Sequence, residues 1–393
     1  MISQQLRQLR LARGLSLEGL AQQMGGVVTK QALSKYEQGK AHPTPTVLTK
    51  LATALGVKAV DLVRDPGVTV EFTAYRKRAA LGKRAQERVQ SQVAEAIRQR
   101  VRLQQIIGQT EDQHIPFQRL HIETLNDVEG AAEQLRRQWN LGVDPIGNLT
   151  ALLEDHSIHI IELETDDGFD GLAAVARDVD RRILAATVVS RRGVPGERQR
   201  LSLAHELGHL VLHLHATLDE ERAAFRFSAA LLAPAQVVRQ RVGTRRTFIQ
   251  LAELILLKQF FGLSIQALLR RLHDLSIISE SYYKQWRIDI NRLGIRQREP
   301  AELPPEQSEW VRRNVLRAVS EELMSSEEAA QMLGEVHAVA SSSTLLQRRA
   351  FLGLPLEQRR AILDQQAQTL RDEYASNPER DLWQGGDIVD DES

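Results

Sequence analysis

Residues 199–215 read QRLSLAHELGHLVLHLH, and their reading decides what the middle of the chain is. Within them, His205-Glu206-Leu207-Gly208-His209 sets two histidines four residues apart. On an α-helix that spacing projects both imidazoles from one face, one turn apart, where they can share a single tetrahedral Zn2+. Glu206 stands beside the first histidine, where a carboxylate can take a proton from water activated by the ion. Leu201, Leu203, Leu207, Leu210, Val211 and Leu214 supply the apolar surface to bury such a helix, expected over 197–215. The bland alternative is a helix that carries a surface histidine pair. His213, further along roughly the same face, reads as a capping or partly buried histidine rather than a ligand.

One helix offers two histidines, so a third donor has to come from elsewhere. The nearest supply is Asp219, Glu220 and Glu221, followed by RAAFRFSAALLAP (222–234). Ala224, Phe227, Ala230 and Leu231 recur at helical spacing, and Pro234 ends the run. A second helix packed on the first would bring one carboxylate to the metal. Glu221 shares the phase of the apolar stripe and points inward, while Glu220 reads as its solvated neighbour.

These two segments, LAHELGH (203–209) and ERAAFRFSAALLAP (221–234), resemble the ImmA/IrrE family of zinc metallopeptidases. The resemblance runs from about residue 130 to 300. It implies an α+β zincin-like domain, Zn2+ as cofactor, His205, His209 and Glu221 as metal ligands, and Glu206 as the catalytic base. Phe225 stands where the family pattern has Asn or Asp, a residue that can orient a ligand histidine.

The 393 residues suffice for two or three domains. With no cysteine the chain has neither a disulfide framework nor a thiolate zinc site, and a reducing cytoplasm is the expected compartment. No signal-peptide core opens the sequence and no apolar run reaches membrane-spanning length, so no membrane partner is expected. The zero net charge conceals an asymmetry: residues 1–110 hold 18 Lys/Arg against 7 Asp/Glu, the remainder 33 against 44. A basic front on an acidic body directs the N-terminal end towards polyanions.

That front, over 2–63, reads as five short helices, with Ser16, Thr29 and Thr44 as caps and Gly25-Gly26 as a turn. Two helices joined by a tight glycine turn are the geometry that lays the second in a DNA major groove. The stretch resembles the lambda-repressor-like (XRE) helix-turn-helix family, with an extra glycine in the turn and Leu17 where many relatives have Gln. Gln31, Ser34 and Lys35 are expected to face base edges, and Lys30 and Lys40 to meet phosphates. The partner expected is a double-stranded DNA operator, met by a homodimer.

Between these parts, VTVEFTAYR (68–76) reads as a short extended entry to one long basic amphipathic helix. Val89, Val93, Ile97, Val101 and Ile106 form its apolar stripe, which suits a connecting helix. Further on, 157–164, 172–178 and 181–190 read as strands, and 247–260 and 264–274 as helices. After 301 the composition turns acidic, with helices expected near 306–320, 322–333 and about 356–374, a Ser-rich break at 341–344, and a tail carrying Leu382, Trp383 and Ile388. The tail resembles that of some bacterial antitoxins, which implies a cognate toxin bound through those three residues.

The expected architecture is multidomain: an all-α helix-turn-helix domain (1–66), a basic helical linker (67–115), the α+β metallopeptidase-like domain (116–300) and a helical acidic region (301–393). The function expected is a DNA-binding regulator with a zinc-dependent endopeptidase that cleaves a regulatory protein or itself. The alternative is an antitoxin-like autorepressor whose metal domain senses or scaffolds.

Overall fold

The computed structural model describes residues 2–63, 67–73, 82–109, 115–165, 169, 171–333, 355 and 358–360. It has an N-terminal all-helical region, a helical linker, a mixed α+β region and C-terminal helices. The Ser-rich break at 341–344, the helix expected over about 356–374 (apart from 358–360), and Leu382, Trp383 and Ile388 lie outside the described residues.

Five helices open the chain: α1 (Ile2–Ala12), α2 (Leu17–Gln23), α3 (Lys30–Glu37), α4 (Pro45–Leu55) and α5 (Ala59–Val63). Ser16, Thr29 and Thr44 accept hydrogen bonds from the N–H groups of Gly19, Ala32 and Val47 at 2.9, 3.2 and 3.4 Å. Each cap satisfies a helix-end donor and contributes about 1 kcal/mol. Between α2 and α3 the chain turns through Gly25 and Gly26, both near φ +70°, a region glycine enters without a Cβ clash. Leu6, Leu20, Leu33, Leu51 and Leu55 close a small core. Arg10 clamps Glu37 through two bonds of 2.6 and 2.8 Å, tying α1 to the end of α3.

The linker comprises β1 (Thr69–Phe72) and α6 (Lys83–Ile106), followed by β2 (Leu120–Ile122), α7 (Asp127–Gln138), α8 (Leu149–Asp155), β3 (Ile158–Leu163), β4 (Gly171–Arg177) and β5 (Ile183–Arg191). Strands β1, β4, β5 and β3 make one sheet in that order. β4 is antiparallel to both β1 and β5, and β3 is parallel to β5. The sheet is covered on both faces, so β4 and most of β3 and β5 are buried along their length, while β1, reading Thr-Val-Glu-Phe, is only partly covered. On one face Leu172 and Ala174 meet Val89 and Val93 of α6, and Ala176 meets Ile97 and Val101. The stripe of α6 is thus spent within the chain. On the other face Ala173 and Val175 join the main core with Leu203 and Leu207. Arg13 of the helical region bonds Glu95 of α6 at 2.6 and 2.9 Å, so the first five helices rest on the same connecting helix.

After the sheet come α9 (Gly196–Val211), β6 (Leu212–Leu214), α10 (Glu220–Leu232), α11 (Ala235–Val242), α12 (Leu251–Phe261), α13 (Ile265–Asp274) and α14 (Glu280–Arg292). The sequence expects α9 to run to 215, but it stops at Val211. Leu212 turns extended (ψ 134°), and β6 pairs in parallel with β2, setting His121 beside His213. The alternation Leu-His-Leu suits a half-buried strand, and β2 supplies the ladder partner that lies more than eighty residues upstream. The sequence also shows no sign that the extended entry at 68–76 is a strand of the sheet.

The N-terminal end of α9 is held by buried polar contacts. Lys258, fully buried, bonds Glu197 at 2.6 Å and Glu299 at 3.1 Å. The following segment fastens to the same helix, with Gly196 N–H donating to Leu303 C=O at 2.8 Å. Glu306 accepts from Arg200 and from the Thr150 N–H. The chain divides after Asn314 into two compact units. α15 (Trp310–Ser320) spans that boundary and α16 (Ser326–Leu333) follows, capped by Ser325 through the Glu328 N–H at 3.2 Å.

Candidate metal centre

Helices α9 and α10 cross at Gly208. A Cβ there would stand 3.2 Å from Ala224 Cα and 3.2 Å from Phe227 Cδ1, so the missing side chain is what lets the two backbones close. Glu221 lies one turn before Ala224 and is thereby carried to the two histidines. The geometry follows: His205 Nε2 and His209 Nε2 are 3.1 Å apart. Glu221 Oε2 lies 3.3 Å from His205 Nε2, and Glu221 Oε1 lies 3.4 Å from His209 Nε2. These three are the metal-ligand cluster found among the described residues.

Two nitrogens and a carboxylate oxygen suit Zn2+. Tetrahedral bonds of about 2.0–2.2 Å place neighbouring donors about 3.3–3.6 Å apart, so the observed triangle fits that ion with shifts of a few tenths of an ångström. Hydrogen bonds from His205 and then His209 hold the Glu221 carboxyl well below its usual range against the opposing effect of burial. It is therefore in the ionised form that binds metal. The two histidine side chains are 3% and 7% exposed and that of Glu221 is 32%, so the cluster opens on the Glu221 side.

Glu206 is 2% exposed and lies against the start of β4. A Cβ on Gly171 would stand 2.6 Å from Glu206 Oε1 and 2.8 Å from Val189 C=O. Gly171 thus makes room for the carboxylate beneath the start of β4. Neither Gly208 nor Gly171 is singled out by the sequence reading. For Gly208 a signal exists, because glycine inside a helix costs about 1 kcal/mol relative to alanine and asks for a packing reason. Phe225 is half-exposed and sets its ring 4.2 Å from that of His205. An apolar plate stands there instead of a hydrogen-bonding side chain. Glu220 is exposed and His213 faces outward on β6; neither joins the cluster.

In the helical region, Lys30, Gln31 and Lys35 are exposed on α3 and Lys40 is exposed just beyond it. Ser34 is half-buried and accepts from Gln38 Nε2 at 3.1 Å. Leu33 faces inward, fully buried. Lys30 lies 3.6 Å from Glu18, both well exposed.

Comparison with known proteins assigns the two parts. Residues 6–62 match the family model described as helix-turn-helix, and residues 153–273 match the IrrE N-terminal-like domain of the M78 peptidases. The chain therefore carries an N-terminal helix-turn-helix domain fused to an IrrE/M78-peptidase-like domain. A stretch of 64 residues is 38% identical to an SPbeta prophage-derived uncharacterized HTH-type transcriptional regulator of Bacillus subtilis (strain 168). That match covers 16% of this chain and 57% of the relative. Among the described residues no single helix is long and apolar enough to cross a membrane.

Proposed function

We propose that the chain is a DNA-binding transcriptional regulator with a zinc-dependent endopeptidase domain that cleaves a regulatory protein or itself. The observation that carries this reading is the triangle of His205, His209 and Glu221 with Glu206 buried beside it. The three donors would hold Zn2+, which when bound supplies Lewis acidity towards water and a peptide carbonyl. Glu206 takes the water proton and delivers it to the departing amide nitrogen. Burial of Glu206 removes competing solvent, and the opening beside Glu221 admits the peptide.

On the other module, Gln31, Ser34 and Lys35 read base edges of an operator in the major groove, while Lys30 and Lys40 contact phosphates. A homodimer on an inverted repeat supplies affinity and symmetry. The relative's description as an HTH-type transcriptional regulator supports this assignment. The domain limits 1–66, 67–115, 116–300 and 301–393, and a cytoplasmic location, complete the reading.

Metal analysis of the purified full chain beside Glu221→Ala tests it, with cleavage of a proteome-derived peptide mixture as the second readout. One zinc per chain, absent from the variant, and zinc-dependent cleavage are expected. Equal zinc in both would remove Glu221 as ligand. Zinc without cleavage of any peptide or of the chain itself would leave a metal-binding regulator and overturn the peptidase.

A further inference from the structure

The two-stranded sheet at the end of α9 carries chemistry that the metal centre does not use. Strands β2 and β6 lie parallel, and their register sets His121 directly opposite His213. Leu120, Ile122 and Leu212 are buried, so by the alternation of a strand both histidines stand on the outer face, exposed. Their rings are 5.0 Å apart between centroids and inclined at 75°. Among the described residues neither ring has a hydrogen bond or an ion pair, so their nitrogens are open to a ligand.

That arrangement matches the histidine pair of the buried centre, whose rings stand 4.8 Å apart at 82°. Two imidazoles bound at about 2.0 Å to one tetrahedral ion set their centroids about 5 Å apart, which is the spacing of both pairs. What differs is the surroundings. Glu221 supplies a third donor to the buried pair. On the outer face His215 comes next after β6, but its Nδ1 is taken by Thr217, whose Oγ1 lies at 2.9 Å and whose N–H donates at 3.4 Å. The exposed pair is therefore a two-imidazole site whose other positions go to water.

We propose that His121 and His213 form a second metal site, taking a divalent ion of the zinc, nickel and copper class, and that the ion clips β2 to the strand that ends the ligand helix. Imidazole suits each of these ions. β6 begins at Leu212, where α9 stops, so His213 lies only four residues past His209. Backbone bonds alone hold β2 to that end of the helix: Gln118 N–H to Leu210 C=O at 2.8 Å, and His215 N–H to Ile122 C=O at 2.9 Å. A three-residue ladder is a weak fastening, two-stranded pairs being marginal by themselves. An ion held by both imidazoles closes about ninety residues of chain, and clips across long loops gain the most. The site is independent of any hydrolysis at the buried centre.

Titration of the full, dialysed chain with Zn2+ tests it. With two donors the clip fills from added metal, after the tightly held ion of the buried centre. Wild type is expected to take up one more ion per chain, in a saturable step, than His121→Gln/His213→Gln. The same difference is expected in the Glu221→Ala background, so it is read whether or not Glu221 holds the buried ion. Both histidines are exposed, and the double variant should melt with the wild type when no metal is added. Equal uptake with and without the two histidines, or uptake that climbs in both without saturating, overturns the site. Amide exchange at His215 reads the clip itself. Added Zn2+ binds the paired strands and not the parted ones, so exchange should slow in Glu221→Ala and stay unchanged once the two histidines are replaced. An extra ion bound with His215 exchanging as before would overturn the clip.

Discussion

The helix-turn-helix and the metal centre place chemistry in opposite ways. On α3, Lys30, Gln31 and Lys35 are exposed on one eight-residue helix that Thr29 caps and Leu33 packs from beneath. In the centre, the donors come from two helices and the backing comes from a strand, all in contact and mostly buried. Independent exposed side chains lose function in increments, because substitutions without shared partners add. A buried triangle loses it at once, because each donor is the others' partner.

The largest effect should fall on the centre. Glu206→Gln is expected to keep the fold and the zinc and to lower peptide hydrolysis by about 10²–10⁴-fold, the size of a general-base contribution. Turnover and metal content measured together check it, and wild-type turnover would break the assigned role. Gly208→Ala comes next. On an exposed helix that change would stabilise by about 1 kcal/mol; here the methyl meets Ala224 Cα and Phe227. A net loss of about 1–3 kcal/mol from overpacking should accompany weaker zinc binding, read by denaturant melts and by competition with a chelator. A stabilised variant with unchanged zinc affinity would mean that the helix crossing does not set the triangle.

The DNA module should show the incremental behaviour. Gln31→Ala and Lys35→Ala should each cost about 1–3 kcal/mol against the operator where the contact is bidentate, add when combined, and leave the melting temperature unchanged. Footprinting titrations of both singles and the double check the additivity. Loss of all binding in one single variant would say that the two modules are not so different.

A smaller effect concerns acid. His159 on β3 is 1% exposed, packed under Trp310 with its ring 4.4 Å away, and burial, assisted by the nearby Arg100 charge, pushes its pKa down to about 3. The unfolded chain protonates this histidine below about pH 6.5, while the folded chain does so only near 3. Between those values the unfolded state binds the extra proton, so stability falls as pH falls, by up to about 1.4 kcal/mol per pH unit. His159→Leu should flatten that slope in melts taken from pH 7 to pH 4; an unchanged slope would assign the acid lability elsewhere. The smallest effect belongs to the contact between the modules. Arg13→Ala should cost no more than about 1 kcal/mol, since the guanidinium is over a third exposed; a larger loss would mean that the helix-turn-helix depends on α6 to fold.

The sequence by itself determined the helices of the DNA module and the candidate ligands of the centre. Both are written in local spacing: caps at Ser16, Thr29 and Thr44, histidines at 205 and 209, and a glutamate at 221 in phase with Ala224 and Phe227. Local spacing is legible because a helix repeats within a few residues. Only the tertiary structure decided that α9 ends at Val211, that His213 lies in a strand, that β1 joins the sheet, and that Gly171 makes room for Glu206. Each of those depends on a partner at least thirty residues away in the chain. β1 pairs with β4 across about a hundred residues and β6 with β2 across about ninety, and no periodicity within one segment reports which distant backbone will complete its hydrogen bonds.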